Sequence, residues 1–62
     1  MWFKFTGFYE NNKSKIDEQK GYDIITDRGD TCFDCVFIDG VFYGDGDEVG
    51  SKRVVAIREH TP

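Results

Sequence analysis

The segment Thr31–Ile38, followed at once by Asp39-Gly40, constrains the fold of this chain more than any other part of it. Side chains alternate across a strand with a period of two. Thr31, Phe33, Cys35 and Phe37 therefore share one face of such a strand, and Cys32, Asp34, Val36 and Ile38 the other. The first set is the more apolar at its centre and is read as facing the core. Asp-Gly is a two-residue turn whose residues take positive φ, the strongest short-range signal for a hairpin. Residues 41–43 are thus expected to return as an antiparallel strand.

The same alternation lays out the rest of the chain. Residues 2–9 are rich in aromatics and read as a first strand, with Trp2 and Phe8 on one face and Phe3, Phe5 and Tyr9 on the other. Residues 10–21 are polar apart from Ile16 and read as a long loop. Ser14 and Asp17 are placed there to cap a single helical turn anchored by Ile16. Residues 22–27 form a second strand with β-branched Ile24 and Ile25, ended by the turn Asp27-Arg28-Gly29-Asp30. Residues 44–51 hold three glycines and three of the acids and read as a mobile turn or loop. Residues 52–59 make the last strand. The expected class is mostly β: a five-stranded antiparallel meander in one domain spanning residues 1–62. Two arrangements protect its edges, closure into a small SH3-like barrel or packing as a curled sheet.

Size limits what such a sheet can do. A chain of 62 residues buries only about 60% of the surface that its unfolded form exposes. Large side chains compensate here, because 16% of the residues are aromatic and each buried ring removes roughly 150–250 Å² from water. That is enough for one core and not for a core plus a deep substrate pocket. The single histidine, His60, sits near the end of the chain, and no nucleophile is spaced to meet a base. The carboxylates fall in turns and on a solvated face, where raised pKa values are not expected. No glycine-rich phosphate loop precedes a helix. The chain reads as a non-enzyme with no cofactor.

Charge is divided unevenly. From Asp23 to Glu48 there are eight acids against one base, Arg28, while the remaining residues hold four acids against seven bases. Such a middle repels phosphate, so direct nucleic-acid binding is not expected. Asp27, Asp30, Asp34, Asp39, Asp45, Asp47 and Glu48 are the candidate acidic face for a basic protein partner. Trp2 and Tyr9 are the candidate aromatic anchors beside it. The plainer role of these acids is a soluble surface. Rings on both faces of the first strand also suit a homodimer, or burial on both sides within a barrel. No run of apolar residues approaches a membrane span. Residues 1–9 lack the pattern of a signal peptide, which points to the cytoplasm and to reduced thiols.

Three motifs invite sharper readings. Cys32-Phe33-Asp34-Cys35 is a lone CxxC, whereas structural zinc takes four ligands and only His60 is otherwise available. Residues three apart in a strand diverge, so the two sulfurs separate unless a bulge intervenes. Packing is the favoured role, with Cys35 in the core and Cys32 outside it or under a loop. A metal or redox module remains the alternative. The run Gly44-Asp45-Gly46-Asp47-Glu48 lacks the spacing and flanking helices of an EF-hand. Arg28-Gly29-Asp30 spells an adhesion tripeptide, but it lies where a hairpin turn needs glycine.

The order of these elements supplies one resemblance. A short aromatic start and a polar loop precede Gly21-Tyr22-Asp23-Ile24-Ile25-Thr26-Asp27 and a Gly-Asp turn. A strand ending in Asp39-Gly40, then Phe42-Tyr43, and an apolar strand at residues 54–57 ahead of Pro62 complete the order. In this the chain resembles short proteins of unknown function encoded by bacteriophages and prophages. The resemblance covers about two-thirds of the chain and carries over no functional residue. It implies a small protein that binds and blocks a host protein, such as a defence or nucleic-acid-processing enzyme with a basic groove. A self-associating structural or assembly protein is the alternative from another class.

Overall fold

The computed structural model describes residues 1–5, 16–44 and 46–61. Six strands are present among them: β1 (Phe3–Lys4), β2 (Tyr22–Thr26), β3 (Thr31–Ile38), β4 (Val41–Gly44), β5 (Asp47–Gly50) and β6 (Val54–Glu59). All pairings are antiparallel, in the spatial order β1-β6-β2-β3-β4-β5. The mostly β class holds, and the sheet does not close into a barrel. It curls instead: the principal extents of 28 × 25 × 23 Å are too even for a flat sheet, whose third dimension would be thin.

Curling begins in the middle of β3. Between the pairs Tyr22↔Cys35 and Ile24↔Cys32, β2 advances two residues and β3 three. The additional residue is a bulge, which bends a strand and raises its local twist. Asp34 takes φ 54° there, a left-handed value that aspartate tolerates better than most side chains. Before the bulge β3 pairs with β2; after it, Val36, Phe37 and Ile38 pair with Tyr43, Phe42 and Val41 of β4. A second irregularity lies in β6, where Ile25↔Ala56 is followed by Thr26↔Val54. Each bulge turns residues three apart onto one side. Cys35 is buried and Cys32 packs against the core, as Val54 and Ile57 do from β6.

This corrects the expected facing of β3. Thr31 and Phe33 are exposed, Phe33 to 55%, because strict alternation fails at the inserted residue. Cys32, expected outside the core or under a loop, is half-buried against it. The first strand is shorter than expected: Phe5 has left it and is buried, while Phe3 is exposed, so the two do not share a face. The remainder of that expected strand, with Tyr9, lies outside the described residues, as does Ser14. Residues 44–51, expected as a mobile loop, instead contain β5, whose Val49 is buried opposite Phe42. The last strand starts at Val54, after a 3₁₀ turn over Ser51–Arg53.

The core joins the two halves of the curl. Phe42, Ile24, Ile57 and Cys35 are fully buried, and burying a side chain of the Phe or Ile class contributes about 1.5–3 kcal/mol. Ile24 faces Ile57 across β2 and β6. Phe42 meets Phe37 at 4.8 Å and Phe5 at 5.7 Å, edge to face with the latter. Ile16 is buried in the same cluster and anchors the end of the polar loop. The turn after it is held by Asp17, whose side chain accepts from the Gln19 N–H and whose carbonyl accepts from the Lys20 N–H.

The two hairpin turns form as expected. Asp39 and Gly40 take φ 50° and 80°, the pair of positive values of a type I′ turn. In the β2–β3 turn Gly29 has φ 85°. The Thr26 hydroxyl accepts from the N–H groups of Arg28 and Asp30.

Gly44 stands where the curl is tightest. A methyl group there would come within 2.7 Å of Cys35 Sγ and 3.3 Å of Cys35 Cα. Gly50 has nothing within 4 Å and a φ of −63°. In urea titrations Gly44→Ala is expected to lose about 1–3 kcal/mol by overpacking, and Gly50→Ala to stay within about 0.5 kcal/mol of the parent. Equal stability of the two variants would contradict the close approach of β4 to Cys35.

Candidate functional site

The densest polar cluster is centred on Asp23, which sequence reasoning counted among the acids but did not single out. Its side chain is 4% exposed and lies on the face of β2 opposite Ile24. Arg58 is its cross-strand neighbour on β6 and donates from Nε to Asp23 Oδ2 at 2.9 Å. His60 Nδ1 lies 2.8 Å from Asp23 Oδ1. Because a carboxylate only accepts, His60 donates from Nδ1. The third donor is the backbone N–H of Asp34, at 3.1 Å, which is the amide of the β3 bulge. Trp2 completes the row, with the Arg58 guanidinium 4.3 Å from the centre of its ring, a cation–π contact.

The cluster therefore ties β1, β2, β3, β6 and the segment after β6 together. His60 is no fraying residue, since its own N–H also donates to the Gly21 carbonyl at 3.0 Å. Burial by itself pushes the Asp23 carboxyl up. The bonds from Arg58, the Asp34 N–H and His60 outweigh that and hold it below the ordinary value of 3.8. An acid–histidine pair is also the orienting half of a catalytic triad. Here the acid is shared among three donors that lock strands in place, which is a structural arrangement.

The expected acidic face divides into separate places. Asp30, Asp47 and Glu48 line one open depression of about 360 Å³, together with Thr26, Thr31, Cys32, Val49 and Arg53. It lies between the β2–β3 turn and β5. Among the described residues none of these three acids forms an ion pair. Asp27 stands apart, with Arg53 Nε at 3.7 Å from its Oδ1. Asp34 sits in the bulge against Gly21, and Asp39 in the β3–β4 turn. Asp45 lies outside the described residues. Of the aromatic anchors, Trp2 is half-buried against Arg58. Tyr9 is not among the described residues.

Other surfaces carry different chemistry. The outward side of β3 and β4 holds Ile38 and Tyr43, both exposed, and half-buried Val36 and Val41. Among the described residues no group of three or more His, Cys, Asp or Glu is placed to hold a metal ion, and both cysteines are free thiols. No helix among them is long and apolar enough to cross a membrane. No family model, curated protein or solved structure matches the chain.

The Asp23 cluster generates a pH signature. Its folded pKa lies below the unfolded value, so its contribution is fully present above about pH 3.8 and is lost as pH falls through the lower folded value. Denaturant midpoints measured from pH 7 down to pH 2 should drop in that acid range. Asp23→Asn should cost about 2 kcal/mol at pH 7, the scale of hydrogen bonds to a charged group, and flatten the drop. An unchanged acid limb in Asp23→Asn would remove Asp23 as its source.

Proposed function

We propose that this chain is a small, non-catalytic protein-binding module that occludes a basic surface of its partner through the acidic depression between the β2–β3 turn and β5. The observation that carries this reading is the set Asp30, Asp47 and Glu48 around one depression, unneutralised by ion pairs among the described residues. Three carboxylates, two on β5 and one in the β2–β3 turn, attract a cationic groove and steer encounter with it. The resemblance to small phage proteins supplies a context, a host enzyme acting on nucleic acid, whose phosphate-binding groove is basic. Of the candidate acids among the described residues, these three share one depression, while Asp27 faces Arg53 and Asp34 and Asp39 lie elsewhere.

The exposed pair Ile38 and Tyr43 favours a second reading, self-association through the outward face of β3 and β4. One experiment separates the two. Tagged protein and its Asp30→Lys/Asp47→Lys/Glu48→Lys variant are used to capture proteins from bacterial lysate at low and high salt, with folding of both checked by circular dichroism. The acidic reading expects a basic protein held by the parent at low salt, released at high salt and missed by the variant. Identical capture by parent and variant would overturn it, and recovery of the bait alone would favour self-association.

A further inference from the structure

The depression offers more than charge, because one of its walls is the edge strand β5. Among the described residues β5 is bonded to β4 alone, and its register fixes which of its backbone groups point away from β4. In a two-residue hairpin the residues flanking the turn, Ile38 and Val41, form a hydrogen-bonded pair, so Val41 directs its N–H and C=O toward β3. Val41↔Gly50 is then a pair without mutual bonds, and Phe42↔Val49 a bonded one, since the two kinds alternate. The Ser51 N–H donating to the Gly40 carbonyl at 2.9 Å is the bond that flanks such an unbonded pair. Along β5, Asp47 and Val49 therefore face β4. Glu48 N–H, Glu48 C=O and Gly50 N–H point away from it, the Gly50 carbonyl being taken up by the 3₁₀ turn over Ser51–Arg53.

We infer that β5 is a strand-acceptor edge, on which an extended basic segment of the partner protein adds as a further antiparallel or parallel strand. This rests on the acidic-face reading and specifies how the partner enters. A strand added to an exposed edge gains main-chain hydrogen bonds for affinity and uses alternate side chains for selection. Charge selects the occupant. Lysine or arginine on the added strand meets Glu48, Asp47 and, across the depression, Asp30. A second copy of β5 would instead bring a second set of Asp47 and Glu48 close to the first, and like charges across a strand pair destabilise it. Gly50 leaves room for a large neighbour: a side chain at that position would meet nothing within 4 Å. The adjacent Val41 is half-buried and Ile38 exposed. An apolar residue of the added strand beside Gly50 covers both.

The test uses a short capped peptide that repeats Lys-Lys-Val-Val, which sets lysines beside Asp47 and Glu48 and valine beside Gly50, titrated into isotope-labelled protein and followed by amide NMR. Two further peptides carry N-methyl groups on one or the other alternate set of residues. The amide protons of Glu48 and Gly50 are expected to move downfield, while those of Asp47 and Val49, already bonded to β4, move less. One N-methylated peptide should bind at least about tenfold more weakly, the scale of losing one or two backbone hydrogen bonds, and the other should bind as the parent does. Asp30→Asn/Asp47→Asn/Glu48→Gln protein should bind the parent peptide more weakly and with less salt dependence. Equal binding by the two N-methylated peptides, with charge dependence retained, would overturn strand addition and leave the acidic face standing. Binding indifferent to the three substitutions would overturn the acidic face itself. Shifts of Glu48 and Gly50 that grow with protein concentration alone would assign the edge to a second copy, and no saturable binding would overturn the inference.

Discussion

The hydrogen bond from the Asp34 N–H to Asp23 is the interaction on which the rest of this structure depends. A bulge leaves one residue outside the ladder, and its amide loses the partner that a regular strand would supply. A partly buried amide such as this is stabilised by an acceptor of its own, so a bulge persists where something else accepts. Asp23 does so here, and its charge is in turn balanced by Arg58 and His60. The same carboxylate thus permits β3 to bend and holds β6 against β2 beside the bend. Trp2 over Arg58 extends the tie to β1.

From that bend the functional features follow. Because β3 pairs with β2 up to Cys35, just past the bulge, and continues with β4 from Val36, the sheet folds over on itself around Phe42, Ile24, Ile57 and Cys35. The curl stops short of closure, and among the described residues β5 stays an edge. A closed barrel of this size would have no free strand. Edges invite association, and proteins commonly limit it with short strands and charge. β5 has both, in four residues that include Asp47 and Glu48. The same acids that discourage pairing with a like strand favour pairing with a basic one. In the proposed reading the defence of the edge and the selection of the partner are one property.

How much of this was legible in the sequence depends on whether a signal was local. Asp39-Gly40 and the turn around Gly29 announced themselves by residue type, and both form. Period-two alternation located β2, β3, β4 and most of β6. It failed where a bulge inserted a residue, and so misplaced Thr31, Phe33 and Cys32. Nothing local marks Asp34 as a bulge, because the acceptor that stabilises it, Asp23, lies eleven residues away. An aspartate flanked by Tyr22 and Ile24 in a strand was the available sign that a carboxylate required partners. β5 was missed because Asp-Glu-Val-Gly has low intrinsic strand preference, and its formation rests on Val49 covering Phe42. The acids were visible one by one, but their grouping was not. Only the curl brings Asp30 to Asp47 and Glu48 and leaves Asp34 and Asp39 elsewhere.

The most direct measurement is the hydrogen exchange rate of the Asp34 amide near neutral pH, compared with those of Cys35 and Val36. If the bulge is held by Asp23, this amide is protected nearly as well as its neighbours in the strand, although it has no partner in the ladder. Exchange at the rate of a free loop amide, beside protected neighbours, would contradict the account and leave the bend of β3 without its anchor.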